Sequence, residues 1–177
     1  MASRQVALIR GINVGRAKRV AMADLRALME GLGYRDSRTL LNSGNIIFTA
    51  GRRDPTRIGA HIEQAMSAKL GVSARVTVLT AADFSTVVRE NPLSDVADDP
   101  TRLLVAFLSD PADRVRLKPL ARQDWKPEVL ALGTRAAYLW CPAGFLESRL
   151  PVAVGRVLGE ATTTRNWSTV TKLHALV

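Results

Sequence analysis

Apolar and polar positions alternate along this chain in a pattern that runs through one series of elements and then repeats it. Val6-Ala-Leu-Ile9 is a compact apolar run and predicts a buried strand. After a loop, Met22, Leu25, Leu28, Met29 and Leu32 recur at helical spacing, and Gly31 and Gly33 supply a stop. Thr39-Leu-Leu41 and Ile46-Ile-Phe48 are strand-type runs separated by Asn42-Ser-Gly-Asn45. That is a hairpin signal, because Gly and Asn tolerate the positive φ of a tight turn. Asp54-Pro55 opens a second helix with Ile58, Ile62, Met66 and Leu70 on one face, closed by Gly71. Arg75-Val-Thr-Val78 alternates as a half-buried strand does. The order is β-α-β-β-α-β.

A helix bearing Phe84, Val87 and Val88 then leads into a polar stretch from Asn91 to Pro100, the best linker candidate. Beyond it the order recurs. Leu103–Leu108 reads as a buried strand, Pro111 to about Leu120 as a helix, and Val129–Leu132 with Ala136–Trp140 as a hairpin across Gly133-Thr134. A helix near 146–158 follows, with Pro151 placed at its start. Ala161–Thr164 is a short strand, and Trp167 to Leu176 a closing helix capped by Asn166. The expected fold is α+β, a tandem duplication of split-βαβ (ferredoxin-like) units with an added C-terminal helix. The boundaries expected are 1–80, a connecting helix and linker over 81–100, and 101–177. No repeat is visible in the residues themselves, so the duplication rests on element order.

That topology brings distant loops together. The loop leaving the first strand and the hairpin joining the second and third lie at the same end of the sheet, and the first and third strands are neighbours about 5 Å apart. Arg10–Gly15 should therefore meet Asn42–Asn45. The same reasoning in the second unit predicts Ser148-Arg149 near Arg165-Asn166-Trp167. Two polar clusters result.

Composition sharpens this picture only in part. At 177 residues and 47% hydrophobic, the chain can bury a core without disulfides. Its single cysteine, Cys141, cannot form an internal disulfide, which fits a reducing compartment, and is expected to be a small buried residue. No secretory h-region and no run of about 18 apolar residues is seen, so a cytoplasmic location without membrane spans is expected. The net charge of +9 is uneven, with 13 Lys/Arg against 5 Asp/Glu in residues 1–80 and 12 against 11 thereafter. An electropositive first half fits an anionic partner. Coding bias in a GC-rich genome would produce the same excess, since arginines outnumber lysines 20 to 5.

The first cluster offers Arg10, Asn13, Asn42, Ser43 and Asn45 with the amides of Gly11, Gly15 and Gly44; the second offers Ser148, Arg149, Thr164, Arg165, Asn166, Trp167 and Lys172. These are neutral hydrogen-bonders and permanent cations, suited to phosphate or carboxylate recognition. Acid–base partners are missing from both. The two histidines, His61 and His174, fall in predicted helices and read as structural or surface residues, and no spacing suggests a metal. Gly11–Gly15 follows a strand and precedes a helix, yet lacks both the Gly-Lys-Ser/Thr ending of a Walker loop and the Gly-x-Gly-x-x-Gly pattern. Tight-turn roles for these glycines and for Asn42–Asn45, and capping and core roles for Asn166 and Trp167, are the competing structural readings. RNA recognition on the sheet would need aromatics on the first and third strands, where only Phe48 occurs.

The same residues carry a resemblance. Arg10-Gly-Ile-Asn-Val-Gly15, Met22-Ala-Asp-Leu25, Asn42-Ser-Gly-Asn45 and Thr164-Arg-Asn-Trp167, followed by Thr169 and Lys172, resemble a bacterial family of unknown function, domain of unknown function sixteen ninety-seven. The resemblance covers essentially the whole chain and implies a tandem ferredoxin-like architecture with no established activity. Family members usually carry Gly-Gly after the Val of the first motif, whereas Arg16 follows Gly15 here, adding charge to the loop.

The leading expectation is a protein without a cofactor that binds an anionic ligand at these loops: a phosphorylated small molecule, nucleotide or nucleic acid. The alternatives are an enzyme using electrostatic stabilisation at the same loops and an interaction module without a small ligand.

Overall fold

The computed structural model describes residues 2–177. The chain forms β1 (Ser3–Ile9), α1 (Met22–Gly31), β2 (Arg35–Leu40), β3 (Asn45–Ala50), α2 (Pro55–Ala65), β4 (Val76–Thr80) and α3 (Ala81–Arg89). It continues through β5 (Leu103–Leu108), α4 (Arg114–Ala121), β6 (Val129–Leu132), β7 (Ala136–Trp140), α5 (Leu150–Leu158), β8 (Thr162–Asn166) and α6 (Trp167–His174). A π-helical turn, Met66–Leu70, extends α2, and Gly71 at φ 64° ends it. Asp54 caps α2 by accepting from the Thr56 amide, with Pro55 in its first turn.

The strands form two four-stranded antiparallel sheets with the same order, β2-β3-β1-β4 and β6-β7-β5-β8. The α+β fold is thus a tandem of ferredoxin-like units. The chain divides after Phe84, within α3: residues up to Phe84 make one compact unit together with Ala175–Val177, and Ser85–His174 make the other. The division falls inside the segment expected to connect the units, and the last three residues return to the first unit, where Arg4 Nη1 donates to the Leu176 carbonyl at 2.7 Å.

Alternation along the strands sorts side chains between the two faces of each sheet. In the first unit Ala7, Ile9, Ile46, Phe48 and Val78 pack beneath Leu25, Met29, Ile58, Ile62 and Met66 of the helices. Fully burying each large apolar side chain stabilises the unit by about 1.5–3 kcal/mol. Leu104, Ala106, Leu108, Ala137 and Leu139 do the same beneath Leu117, Leu150 and Val154 in the second unit. The alternate residues Val6, Leu8, Ile47 and Leu79 are buried as well, as are Val105, Phe107 and Tyr138. Neither sheet presents a solvent-facing platform of aromatics, and Phe48 lies in the core. No helix among the described residues is long and apolar enough to cross a membrane.

Candidate functional site

Leu8 of β1 stands opposite Asn45 of β3, so the loop after β1 and the β2–β3 hairpin share one end of the first sheet. There the two motifs are bonded to each other. Asn13 adopts φ 56°, a left-handed conformation that asparagine tolerates, and this turns its amide inward. Its Nδ2 donates to the carbonyls of Val20 at 2.9 Å and Asn42 at 2.7 Å, while its Oδ1 accepts from the Val20 amide at 2.8 Å. Asn45, fully buried, donates to the Leu40 carbonyl and the Ser43 hydroxyl, both at 2.9 Å. The Ile9 amide donates to the Gly44 carbonyl and the Arg10 amide to the Arg75 carbonyl, both at 2.8 Å. Gly44 sits at φ 83°, and an added Cβ would come within 2.8 Å of both Ile9 and Ile12. These atoms hold the loops together.

What this leaves for a ligand is a neighbouring cavity of about 400 Å³, lined by Asn13, Arg19, Val20, Ala21, Met22 and Asn42. Val20 is buried by the Asn13 bracket, and this delivers Ala21 and Met22 to the cavity as the start of α1. No side chain caps that helix, and Ala21 occupies its N-cap. Arg16, Lys18 and Arg19 are exposed along the same loop. Gly11 and Gly15, at φ 68° and 64°, are turn residues in the conformation glycine adopts most readily. Arg19 is legible in the sequence as one of the loop cations with Arg10, Arg16 and Lys18, whereas the open end of α1 leaves no mark beyond the absence of Ser, Thr, Asp or Asn before Met22.

The second cluster is arranged differently. Strands β7 and β8 are both antiparallel to β5, so the start of α5 and the end of β8 do share one end of the second sheet. Strand β5 lies between β7 and β8, however, which sets those two strands about 10 Å apart. Ser148 and Arg149 are engaged instead by Glu128, which precedes β6. The Ser148 hydroxyl donates to Glu128 at 2.5 Å, and the amides of Arg149 and Leu150 donate at 3.1 and 3.0 Å. Arg149 Nε lies 3.7 Å from the same carboxylate, and its guanidinium stacks over Trp125 at 5.5 Å. Burial acts to raise the Glu128 pKa, but the bonds from Ser148, Arg149 and Leu150 and the Arg149 charge outweigh it and hold the carboxyl below its usual range. The anion at the start of α5 is therefore the protein's own.

At the end of β8, Thr164 is exposed and Arg165 half-buried, its Nη1 donating to the Thr164 carbonyl at 2.9 Å. Desolvation lowers the Arg165 pKa to about 10, so the group stays cationic at neutral pH. Asn166 caps α6 as its residue type suggested, with Oδ1 accepting from the Thr169 amide at 2.9 Å. Trp167 is half-buried at the start of α6 and Lys172 exposed near its end. Cys141 is buried, and burial raises its thiol pKa. His174 Nε2 lies 3.2 Å from the Ser85 hydroxyl. Among the described residues no group of His, Cys, Asp and Glu could hold a metal ion.

Two split-βαβ units in tandem, the first with bonded Arg-Gly-Ile-Asn-Val-Gly and Asn-Ser-Gly-Asn loops, define a class by fold and motif together. The chain belongs to the family described as protein of unknown function (DUF1697), whose model matches residues 2–138. It is similar in fold to a solved structure, that of the conserved bacterial protein SP0830 from Streptococcus pneumoniae. The two share a TM-score of 0.81 and 24% identity over 99% of each chain. No curated protein matches the sequence.

Proposed function

We propose that the protein binds an anionic ligand, one bearing a phosphate or carboxylate group, at the loop end of its first unit. One observation carries this reading: the cavity of about 400 Å³ shared by Asn13, Arg19, Asn42 and the uncapped start of α1. The first amides of a helix have no intrahelical partner, and their aligned dipoles attract negative charge. Arg19 adds a full positive charge, and Arg16 and Lys18 raise the local potential from the exposed loop. Asp24 also stands in the first turn of α1, so the Arg19 guanidinium must supply the main attraction. The residues lining the cavity include no histidine, carboxylate or thiol, which supports binding over acid–base catalysis.

Candidate partners are a phosphorylated small molecule, a nucleotide or nucleic acid. Calorimetric titration with inorganic phosphate, AMP and a single-stranded oligonucleotide tests the reading against Arg10→Ala and Arg19→Ala variants. Arg19→Ala is expected to weaken binding tenfold or more. Affinity that falls steeply with salt would identify nucleic acid. Unchanged affinity in both variants would sink the assignment and leave the loops a packing role alone.

A further inference from the structure

We propose a second binding site in the first unit, for the phosphoryl group of a small phosphate monoester, in the cavity formed by Tyr34, Arg52, Arg53, Asp54, Arg57 and His61. The cavity measures about 460 Å³, within the range of small-ligand pockets. It lies at the opposite end of the first sheet from Asn13 and Asn42. Ser3 pairs with Ala50 at that end, so the chain leaves β3 directly into Arg52 and Arg53, while Tyr34 precedes β2.

Three features point to an anion. The first is charge: three guanidinium groups share the cavity with one carboxylate, Asp54, which already accepts from the Thr56 amide at 2.9 Å. The side chains of Arg52 and Arg57 make no hydrogen bond or ion pair among the described residues. Like charges so placed repel one another, and a dianion would relieve that repulsion.

The second is position. Arg53 and Arg57 flank the start of α2, where a cation opposes the helix dipole, and apart from the Asp54 cap no acidic side chain stands there to balance them. Two cations beside that single cap add nothing to helix stability, which fits a role in holding an anion.

The third is a buried polar wall. Tyr34 is 4% exposed, its hydroxyl lies 3.2 Å from His61 Nδ1, and the Arg53 charge acts on the same phenol. Burial raises the phenol pKa despite the opposing effect of Arg53, so Tyr34 stays neutral. The ring is fixed against Phe48 at a centroid distance of 5.0 Å, and the His61 ring lies edge-on at 6.1 Å. Tyr34 and His61 thus form a rigid aromatic side to the cavity, and guanidinium forks suited to bidentate phosphate contact form the other. A phosphate monoester with a compact organic group fits both.

The test is calorimetry of the full chain with phenyl phosphate and inorganic phosphate, at an ionic strength held constant with chloride. Saturable binding of phenyl phosphate is expected. It should weaken tenfold or more in an Arg52→Ala/Arg57→Ala double variant, weaken by a smaller factor in Arg52→Lys/Arg57→Lys, and persist in Arg19→Ala. Both arginines are exposed, so thermal melts of the variants should match the parent and exclude misfolding. Absence of saturable binding, or equal affinity in the Arg52→Ala/Arg57→Ala variant, overturns the site. Loss of binding only in Arg19→Ala would overturn it while leaving the cavity at α1 in place. Displacement of phenyl phosphate by an oligonucleotide with a steep salt dependence would replace the small-molecule ligand with nucleic acid.

Discussion

The side-chain amide of Asn13 donates to the main-chain carbonyl of Asn42 at 2.7 Å, joining two motifs separated by twenty-nine residues. Together with its two bonds to Val20, this makes Asn13 the residue that shapes the loop after β1. Asn13→Ala removes all three bonds and places alanine at a positive φ, and is expected to destabilise the fold by about 2–3 kcal/mol in urea denaturation. Asn13→Asp keeps the acceptor for the Val20 amide but sets a negative oxygen against the carbonyls of Val20 and Asn42. It should be no more stable than Asn13→Ala at neutral pH and should recover part of the loss as pH falls through about 4 and the aspartate takes up its proton.

The hairpin facing that loop makes two opposite predictions. Gly44→Ala forces a Cβ to within 2.8 Å of Ile9 and Ile12 at φ 83°, and should lower stability by about 2–3 kcal/mol. Leu41, a few residues earlier, holds φ 59° while 52% exposed, so its side chain gains little from burial to offset the strain. Leu41→Asn should raise stability by about 1 kcal/mol, because asparagine visits this region readily. Thermal melts of the two variants should shift in opposite directions.

Much of this was legible in the residues, for identifiable reasons. Val6–Ile9, Leu103–Leu108 and the spacing of Ile58, Ile62 and Met66 are periodicities that packing alone can use, and element order then determined which loops meet. Asn166 as a helix cap followed from its residue type. The pairing of Ser148 and Arg149 did not follow. Loop proximity was read from the ends of strands, and Glu128 enters from the segment before β6, which carries no motif. The cavity around Arg52, Arg53 and Arg57 was also hidden. Tyr34 and His61 come from separate elements, and His61 alone on an amphipathic helix reads as structural.

Glu128 gives the acid dependence a definite sign. Its carboxyl titrates below the unfolded value, so its contribution is present above the usual carboxylate pKa of 4.5 and is lost as pH falls through the lower folded value. Glu128→Ala leaves the start of α5 without its acceptor and should cost about 2 kcal/mol at pH 7. Measured between pH 7 and 3, the parent should lose stability more steeply than the variant, and the two curves should converge at the acid end. Parallel curves would show that Glu128 is not held in its charged form by Ser148 and the α5 amides.

At the alkaline end the two tyrosines offer an independent readout. Tyr138 donates to the Val87 carbonyl at 2.6 Å from a buried position, and burial, with the Glu90 charge, pushes its phenol well above the ordinary value. Burial raises Tyr34 as well, though Arg53 opposes it. A phenol whose folded pKa is raised contributes stability that is fully present below pH 10 and lost as pH rises through the folded value. These are the only tyrosines in the chain, so absorbance at 295 nm should show no phenolate step near pH 10. Ionisation should appear at higher pH, with Tyr34 before Tyr138, or together with unfolding. In Tyr138→Phe the remaining step reports Tyr34 alone, and saturating phenyl phosphate should shift it if that ligand occupies the cavity Tyr34 lines. The same variant leaves the Val87 carbonyl without its donor and should cost about 1–2 kcal/mol at neutral pH. A full phenolate step at pH 10 in the folded parent would contradict the burial of both rings.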